Sequence, residues 1–289
     1  MRRVKLAVAL ALALCALPAL AGGVRVTGDR LFVPVIINGV ATEALLDSGA
    51  EMTLLDAGFA RRLGLELAGS EVARGTGGEE EVRFATGLDI RTTDTVLEDS
   101  AVAVLDLSDI STRLVGEPLT AVMGRELFDS GRFLLDIQGG TFERLDAGSQ
   151  PEGIHLPLGD QAGIKQIPVL IENVQASADF DLGNGSNMLV GRDFAAANGW
   201  LSPERRAGKA AGGGLGGALT RDLVRLRSVT VAGVRFADVT AAVDPTDTAS
   251  EANVGVSLLR NFVLVIDFPG GVVWLAPRES AARGTAEAR

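Results

Sequence analysis

The sequence predicts an all-β protein with short helices, arranged as two pseudo-symmetric lobes. Glycine is abundant, at 36 of 289 residues, and aromatic residues make up only 4%, a balance that favours turn-rich β structure over helices. Short apolar runs end in turn residues rather than continuing at helical period. A long internal repeat supplies the two lobes. The hydrophobic fraction of 47% is ample for a core and excludes disordered and fibrous classes.

The chain opens with Arg2, Arg3 and Lys5, an apolar run from Leu6 to Leu17, and Pro18-Ala19-Leu20-Ala21. A basic start, a short apolar stretch and a small-x-small ending predict a secretory signal peptide over residues 1–21. The protein is therefore expected to be exported, to the periplasm or outside the cell, with no membrane span after cleavage. The first lobe is expected over 22–147, a linker over 148–153 within the polar stretch Asp146–Gly153, the second lobe over 154–278, and a disordered tail over 279–289.

The repeat is read directly. Pro34 to Gly49 aligns without gaps on Pro168 to Gly183, at an offset of 134. A second block aligns at an offset of 131, pairing Gly124 with Gly255, Leu127 with Leu258, and Leu135-Asp136 with Ile266-Asp267. The period is too long for a solenoid and marks a duplicated lobe. In the first copy, strands Val33–Ile37 and Ala41–Leu46 flank Asn38-Gly39, a strong hairpin signal. In the second, Pro168–Ile171 and Ala176–Phe180 flank Glu172-Asn173. Helical stretches follow at Ala57–Leu63 and Arg192–Ala197, each closed by a glycine, Gly64 and Gly199. Further strands are expected at Val82–Leu88, Ala101–Leu105, Phe133–Ile137, Leu223–Val231, Thr240–Val243 and Val263–Phe268.

Composition narrows the chemistry. A net charge of −10 opposes binding to nucleic acid, whose phosphates require a basic surplus. The one cysteine, Cys15, falls in the expected signal, and the one histidine is His155. Cys-His and Ser-His-Asp catalysis and histidine-based zinc sites are thereby disfavoured, and His155, between Ile154 and Leu156, reads as an ordinary strand residue. No calcium-loop pattern is present, and no metal or other cofactor is expected. Gly212, Gly214 and Gly217 satisfy Gly-x-Gly-x-x-Gly, but a strand rather than a helix is expected after them, which disfavours a dinucleotide loop and leaves a plain flexible loop as the simpler alternative. Carboxylates, hydroxyls and backbone amides remain.

The duplicated aspartate is where chemistry concentrates. Asp47 ends an apolar strand and precedes Ser48, Gly49 and Ala50; Asp181 ends the matching strand and precedes Leu182, Gly183 and Asn184. Asp-Ser-Gly alone is a common turn, and Asp129-Ser130-Gly131 is one without a counterpart in the repeat. A carboxylate duplicated at one structural position is what a two-fold dyad requires.

Leu45-Leu46-Asp47-Ser48-Gly49-Ala50, Val122-Met123-Gly124-Arg125-Glu126-Leu127-Phe128 and Phe133–Ile137 together resemble a retropepsin-type aspartyl protease lobe. The second lobe resembles it more weakly through Val254–Leu259 and Leu264–Phe268. The resemblance is to a bacterial exported member with both lobes in one chain. It implies an aspartic-protease fold with the cleft between lobes and an Asp47/Asp181 pair as catalytic residues, supported by their turn neighbours. It further implies hydrolysis of peptide bonds in an extended peptide or unfolded protein, by a monomer.

Carboxylates about 3 Å apart cannot both ionise and so share a proton, for which aspartic proteases are the established case. The resemblance also implies hairpin flaps with tips at Gly75, Thr76, Gly77 and Gly78 and at Gly214, Leu215 and Gly216. The pattern departs at Leu182, where a hydroxyl is expected. Asn184 is a candidate to compensate by bonding Asp181 or the opposite loop, and Asp179 is expected to face solvent by strand alternation. Three readings follow: an active endopeptidase, an impaired periplasmic peptide-binding protein of the same fold, and pairing of Asp47 from two chains.

Overall fold

The two hairpins anticipated in the repeat set the frame for each lobe. Asn38 and Gly39 have φ of 46° and 80°, and Glu172 and Asn173 have φ of 50° and 74°. Positive φ at both central residues is the conformation whose twist matches the flanking strands. Glu172, an uncommon residue in that region, is held by the guanidinium of Arg205, which donates to Glu172 Oε2 at 3.0 Å. These facts come from a computed structural model that describes residues 22–247 and 249–279. The expected signal segment and residues 280–289 of the expected tail lie outside the described residues.

Among the described residues the strands form three sheets. In the first eight-stranded sheet the order is Arg25–Thr27, Arg30–Ile37, Val40–Leu46, Ala121–Met123, Leu54–Asp56, Val96–Leu105, Gly78–Arg91 and Ala68–Gly75. The second sheet repeats it strand for strand: Gly159–Gln161, Ile164–Ile171, Val174–Phe180, Ala252–Val254, Met188–Gly191, Val234–Asp244, Gly217–Val231 and Arg206–Gly214. In each copy the second strand also pairs with the penultimate one, Ile37 with Ile90 and Ile171 with Val229, which curls the sheet toward a barrel.

The third sheet joins the lobes. Its order is Thr141–Leu145, Arg132–Asp136, Phe262–Asp267, Val272–Pro277 and Ile154–Pro157. The strands expected at Phe133–Ile137 and Val263–Phe268 therefore pair with each other, Leu135 opposite Leu264. Arg132, half-buried, reaches Asp267 at 2.7 and 3.0 Å across this seam. His155 lies on the outermost strand opposite Trp274.

A main core runs through both lobes and the shared sheet, with Leu46, Phe128, Phe133, Phe180, Leu182, Trp200 and Phe262 almost fully enclosed. Each such side chain contributes roughly 1.5–3 kcal/mol by leaving water. The short helices Ala57–Arg62 and Arg192–Ala197 follow their strands as expected, the first capped by Asp56, whose Oδ1 accepts from Phe59 N at 3.0 Å. Both chain reversals use left-handed glycines, Gly64 at φ 69° and Gly199 at φ 72°.

Strand alternation misplaced one residue. Asp179 is buried, 7% exposed, and its Oδ1 accepts from Gln166 Nε2 and Ser250 Oγ, each at 2.8 Å. The Gln166 and Ser250 side chains lie over it on that face of the sheet, where alternation alone predicts solvent. The Gly212–Gly217 stretch is a strand–turn–strand, with Gly212 opposite Leu219.

Candidate active site

The two aspartates emerge from equivalent strand ends. Val40–Leu46 runs parallel to Ala121–Met123, and Val174–Phe180 runs parallel to Ala252–Val254. The chain then leaves the sheet while its amide still bonds the neighbouring strand: Asp47 N donates to Met123 O at 3.0 Å, and Asp181 N to Val254 O at 3.3 Å. Each carboxylate is fixed by the glycine two residues on, Gly49 N to Asp47 Oδ1 at 2.9 Å and Gly183 N to Asp181 Oδ1 at 2.8 Å.

Each carboxylate also reaches the opposite turn. A Cβ placed on Gly183 would collide with the Asp47 carboxyl, and one on Gly49 would lie 3.4 Å from Asp181 Oδ1. Glycine is required at 183 for this approach, whereas at 49 the space is tight but not closed. The turns are further joined by Ser48, which is 2% exposed. Its Oγ donates to Phe180 O at 2.7 Å and accepts from Leu182 N at 3.0 Å, spanning the two lobes.

Leu182 returns no matching link, because its side chain is fully buried in the main core. The hydroxyl lock is thus one-sided, with packing on the other side. Asn184 does not compensate as anticipated. Its side-chain Nδ2 donates to Asn253 Oδ1 at 2.7 Å, and Asn253 Nδ2 donates to Asp181 Oδ2 at 2.7 Å. Only the Asn184 backbone N–H bonds Asp181 itself, at 3.0 Å. Ala50 contributes backbone alone, its N–H donating to Asp47 O at 3.4 Å.

Burial raises the Asp47 carboxyl well above the usual carboxylate range, to about 7, and the neighbouring Asp181 charge adds to the effect. Opposing this are the backbone donors and the Arg30 guanidinium. Arg30 was not anticipated. It starts a first-lobe strand, donates through Nη1 to Gly183 O in the other lobe, and sits within the fields of Asp181, Asp47 and Asp29. No sequence signal linked it to a turn 153 residues away.

The expected flaps are hairpins whose tips meet. Ala68–Gly75 and Gly78–Arg91 turn through Thr76-Gly77, and Arg206–Gly214 and Gly217–Val231 turn through Leu215-Gly216. Gly77 N donates to Leu215 O at 2.9 Å. A Cβ on Gly75 would lie 2.5 Å from Leu215 Cβ, and one on Gly214 the same distance from Thr76 Oγ1. Leu215 packs against a separate apolar cluster built from first-lobe residues, including Leu105, Leu107 and Val115. Arg113, from the helical segment Ser111–Val115, anchors the same hairpin by donating to Gly212 O and Gly214 O, each at 3.1 Å. Among the described residues no cluster of three or more His, Cys, Asp or Glu side chains is arranged to hold a metal ion.

A family model described as aspartyl protease matches residues 33–127. The match spans the first hairpin, Asp47 and the strand that receives it, and supports an aspartyl protease of the pepsin/retropepsin-like kind. No curated protein matches the chain.

Proposed function

We propose that the chain is an exported aspartic endopeptidase in which Asp47 and Asp181 together activate a water molecule. The observation that carries this reading is the reciprocal approach of the carboxylates: each ends a duplicated strand, and each lies against the glycine turn of the other lobe. One proton shared by the pair gives it a base and an acid at once. The ionised member takes a proton from water as the water oxygen attacks the scissile carbonyl carbon. The protonated member donates to the carbonyl oxygen. When the tetrahedral adduct collapses the C–N bond breaks, and the departing nitrogen leaves with a proton returned by the pair.

This chemistry calls for no cofactor. The meeting hairpin tips support an extended peptide or unfolded protein as substrate, because glycine-rich strand edges offer backbone groups to pair with it. Both aspartates belong to one chain, which supports a monomer over pairing of Asp47 from two copies. The basic, apolar, small-residue start supports export, periplasmic or extracellular, and among the described residues no helix is long and apolar enough to cross a membrane.

A second reading, an impaired peptide-binding protein of the same fold, is favoured by one observation, the apolar Leu182 in place of a hydroxyl. Digestion of a peptide library from pH 3 to 8 separates the two. Cleavage by the wild type supports the endopeptidase; saturable peptide binding without cleavage at any pH supports the binding protein.

A further inference from the structure

The duplication makes the two halves of the dyad nearly equivalent, and the residues that break the equivalence all favour one member. The Asp47 carboxylate accepts from the backbone amide of Gly49, and the Asp181 carboxylate from those of Gly183 and Asn184. Asp181 alone has a side-chain donor among the described residues, Asn253 at 2.7 Å. Asn253 is 8% exposed and is turned by Asn184, whose Nδ2 holds its Oδ1 at 2.7 Å. At the repeat offset of 131, Asn253 falls on Val122, and at 134, Asn184 falls on Ala50. The first lobe has an apolar residue at both positions.

The nearby cation is equally one-sided. Arg30 donates to Gly183 O and crowds the Asp181 turn so closely that a Cβ on Gly185 would lie 2.9 Å from the guanidinium carbon. Its counterpart at offset 134 is Ile164, so the second lobe sends no charge to the Asp47 turn from this position. The field of Asp181 on Arg30 exceeds that of Asp47. The remaining ionisable neighbours are occupied elsewhere: Asp29 is paired with Arg260 at 2.6 Å and bonded by Ser257, and Asp179 is held by Gln166 and Ser250.

From this asymmetry we propose that the dyad has fixed roles: Arg30 and the Asn184–Asn253 pair hold the negative charge on Asp181, so that Asp181 takes the proton from water and Asp47 carries the proton given to the carbonyl oxygen. Arg30 and Asn253 are positioning residues here, acting through the carboxylates. The assignment of water and carbonyl rests on the endopeptidase reading; the allocation of charge does not. An anion that accepts charge-assisted bonds from an amide and faces a guanidinium is stabilised, while a carboxyl pushed up by burial retains its proton.

The test follows the carboxyl carbons of 13C-labelled aspartate by NMR across pH, with Asp47→Asn and Asp181→Asn used to assign the signals. The step at higher pH is expected on Asp47. Arg30→Met should move that step upward by about one pH unit, as removal of a nearby opposite charge requires, and Arg30→Lys should restore it in part. Asn253→Val, which installs the first-lobe residue, should make the pair harder to ionise and shift the acid limb of kcat/KM to higher pH. Should Asn253→Val not fold, the two Arg30 variants carry the test. A higher step on Asp181, or titrations unmoved by Arg30→Met, would overturn the proposal. A wild type that cleaves nothing yet titrates as expected would reject the endopeptidase reading and leave the charge allocation standing.

Discussion

Ser48 supplies the polar link between the two aspartate turns, and Ser48→Ala isolates it. Its hydroxyl makes two buried interlobe bonds, to Phe180 O at 2.7 Å and from Leu182 N at 3.0 Å. Alanine leaves that carbonyl and that amide with no replacement partner, because Leu182 offers none from the opposite side. An unsatisfied buried group costs about 1–3 kcal/mol, so the pair should cost about 2–4 kcal/mol. That is a large part of the 5–15 kcal/mol typical of a folded domain. Urea unfolding should show a lower midpoint at an unchanged slope, since the surface exposed on unfolding is nearly the same. Because the link spans the lobes, kcat should fall together with stability. A loss under about 0.5 kcal/mol would refute the reasoning and mean that Leu182 packing alone holds the turns.

Three further outcomes are expected. Leu182→Thr should lower the melting temperature, at a cost of about 1–3 kcal/mol, because it puts a hydroxyl and a smaller volume into a filled apolar site; a rise would show that the missing hydroxyl lock can be rebuilt. Gly183→Ala should abolish activity, since its Cβ has no room beside the Asp47 carboxyl. Gly49→Ala, with 3.3 Å to its nearest neighbour, should be milder; equal effects on kcat/KM would argue against the contact at Gly183. Asp47→Asn should be more stable than wild type at pH 8, the gap closing toward pH 4, as read from melting temperatures. The native Asp47 binds its proton more tightly than the unfolded chain does, so its contribution is present at low pH and lost as pH rises through about 7. Glu126 and Asp179, also raised by burial, act in the same direction but are common to both proteins. A gap that widens toward acid would contradict the shift.

Much of the fold was legible because the repeat and its turn residues are local. Asn38-Gly39 and its copy, the glycine-closed helices and the two aspartate turns all depend on neighbours within a few residues. What was not legible depends on pairing between distant segments. The strands Arg132–Asp136 and Phe262–Asp267 read as parts of separate lobes, yet they share a sheet. Asp179 alternates as a solvent-facing residue should, but Gln166 and Ser250, distant in the sequence, close over its side chain. Arg30 looks like the end of a surface turn until the second lobe arrives to be bonded. Asn253 did leave a trace, an amide where the repeat has valine at 122, and such mismatches between copies mark where one half of a duplicated site has been altered.

The central claim is that Asp47 and Asp181 act as one unit, and a double-mutant comparison of kcat/KM tests it most directly. Each single variant, Asp47→Asn and Asp181→Asn, should lose activity to the same degree, and the double variant should be no worse than either, because groups that act together are strongly non-additive. Substantial activity in Asp181→Asn, rising with protein concentration, would contradict the account and assign catalysis to Asp47 paired between two chains.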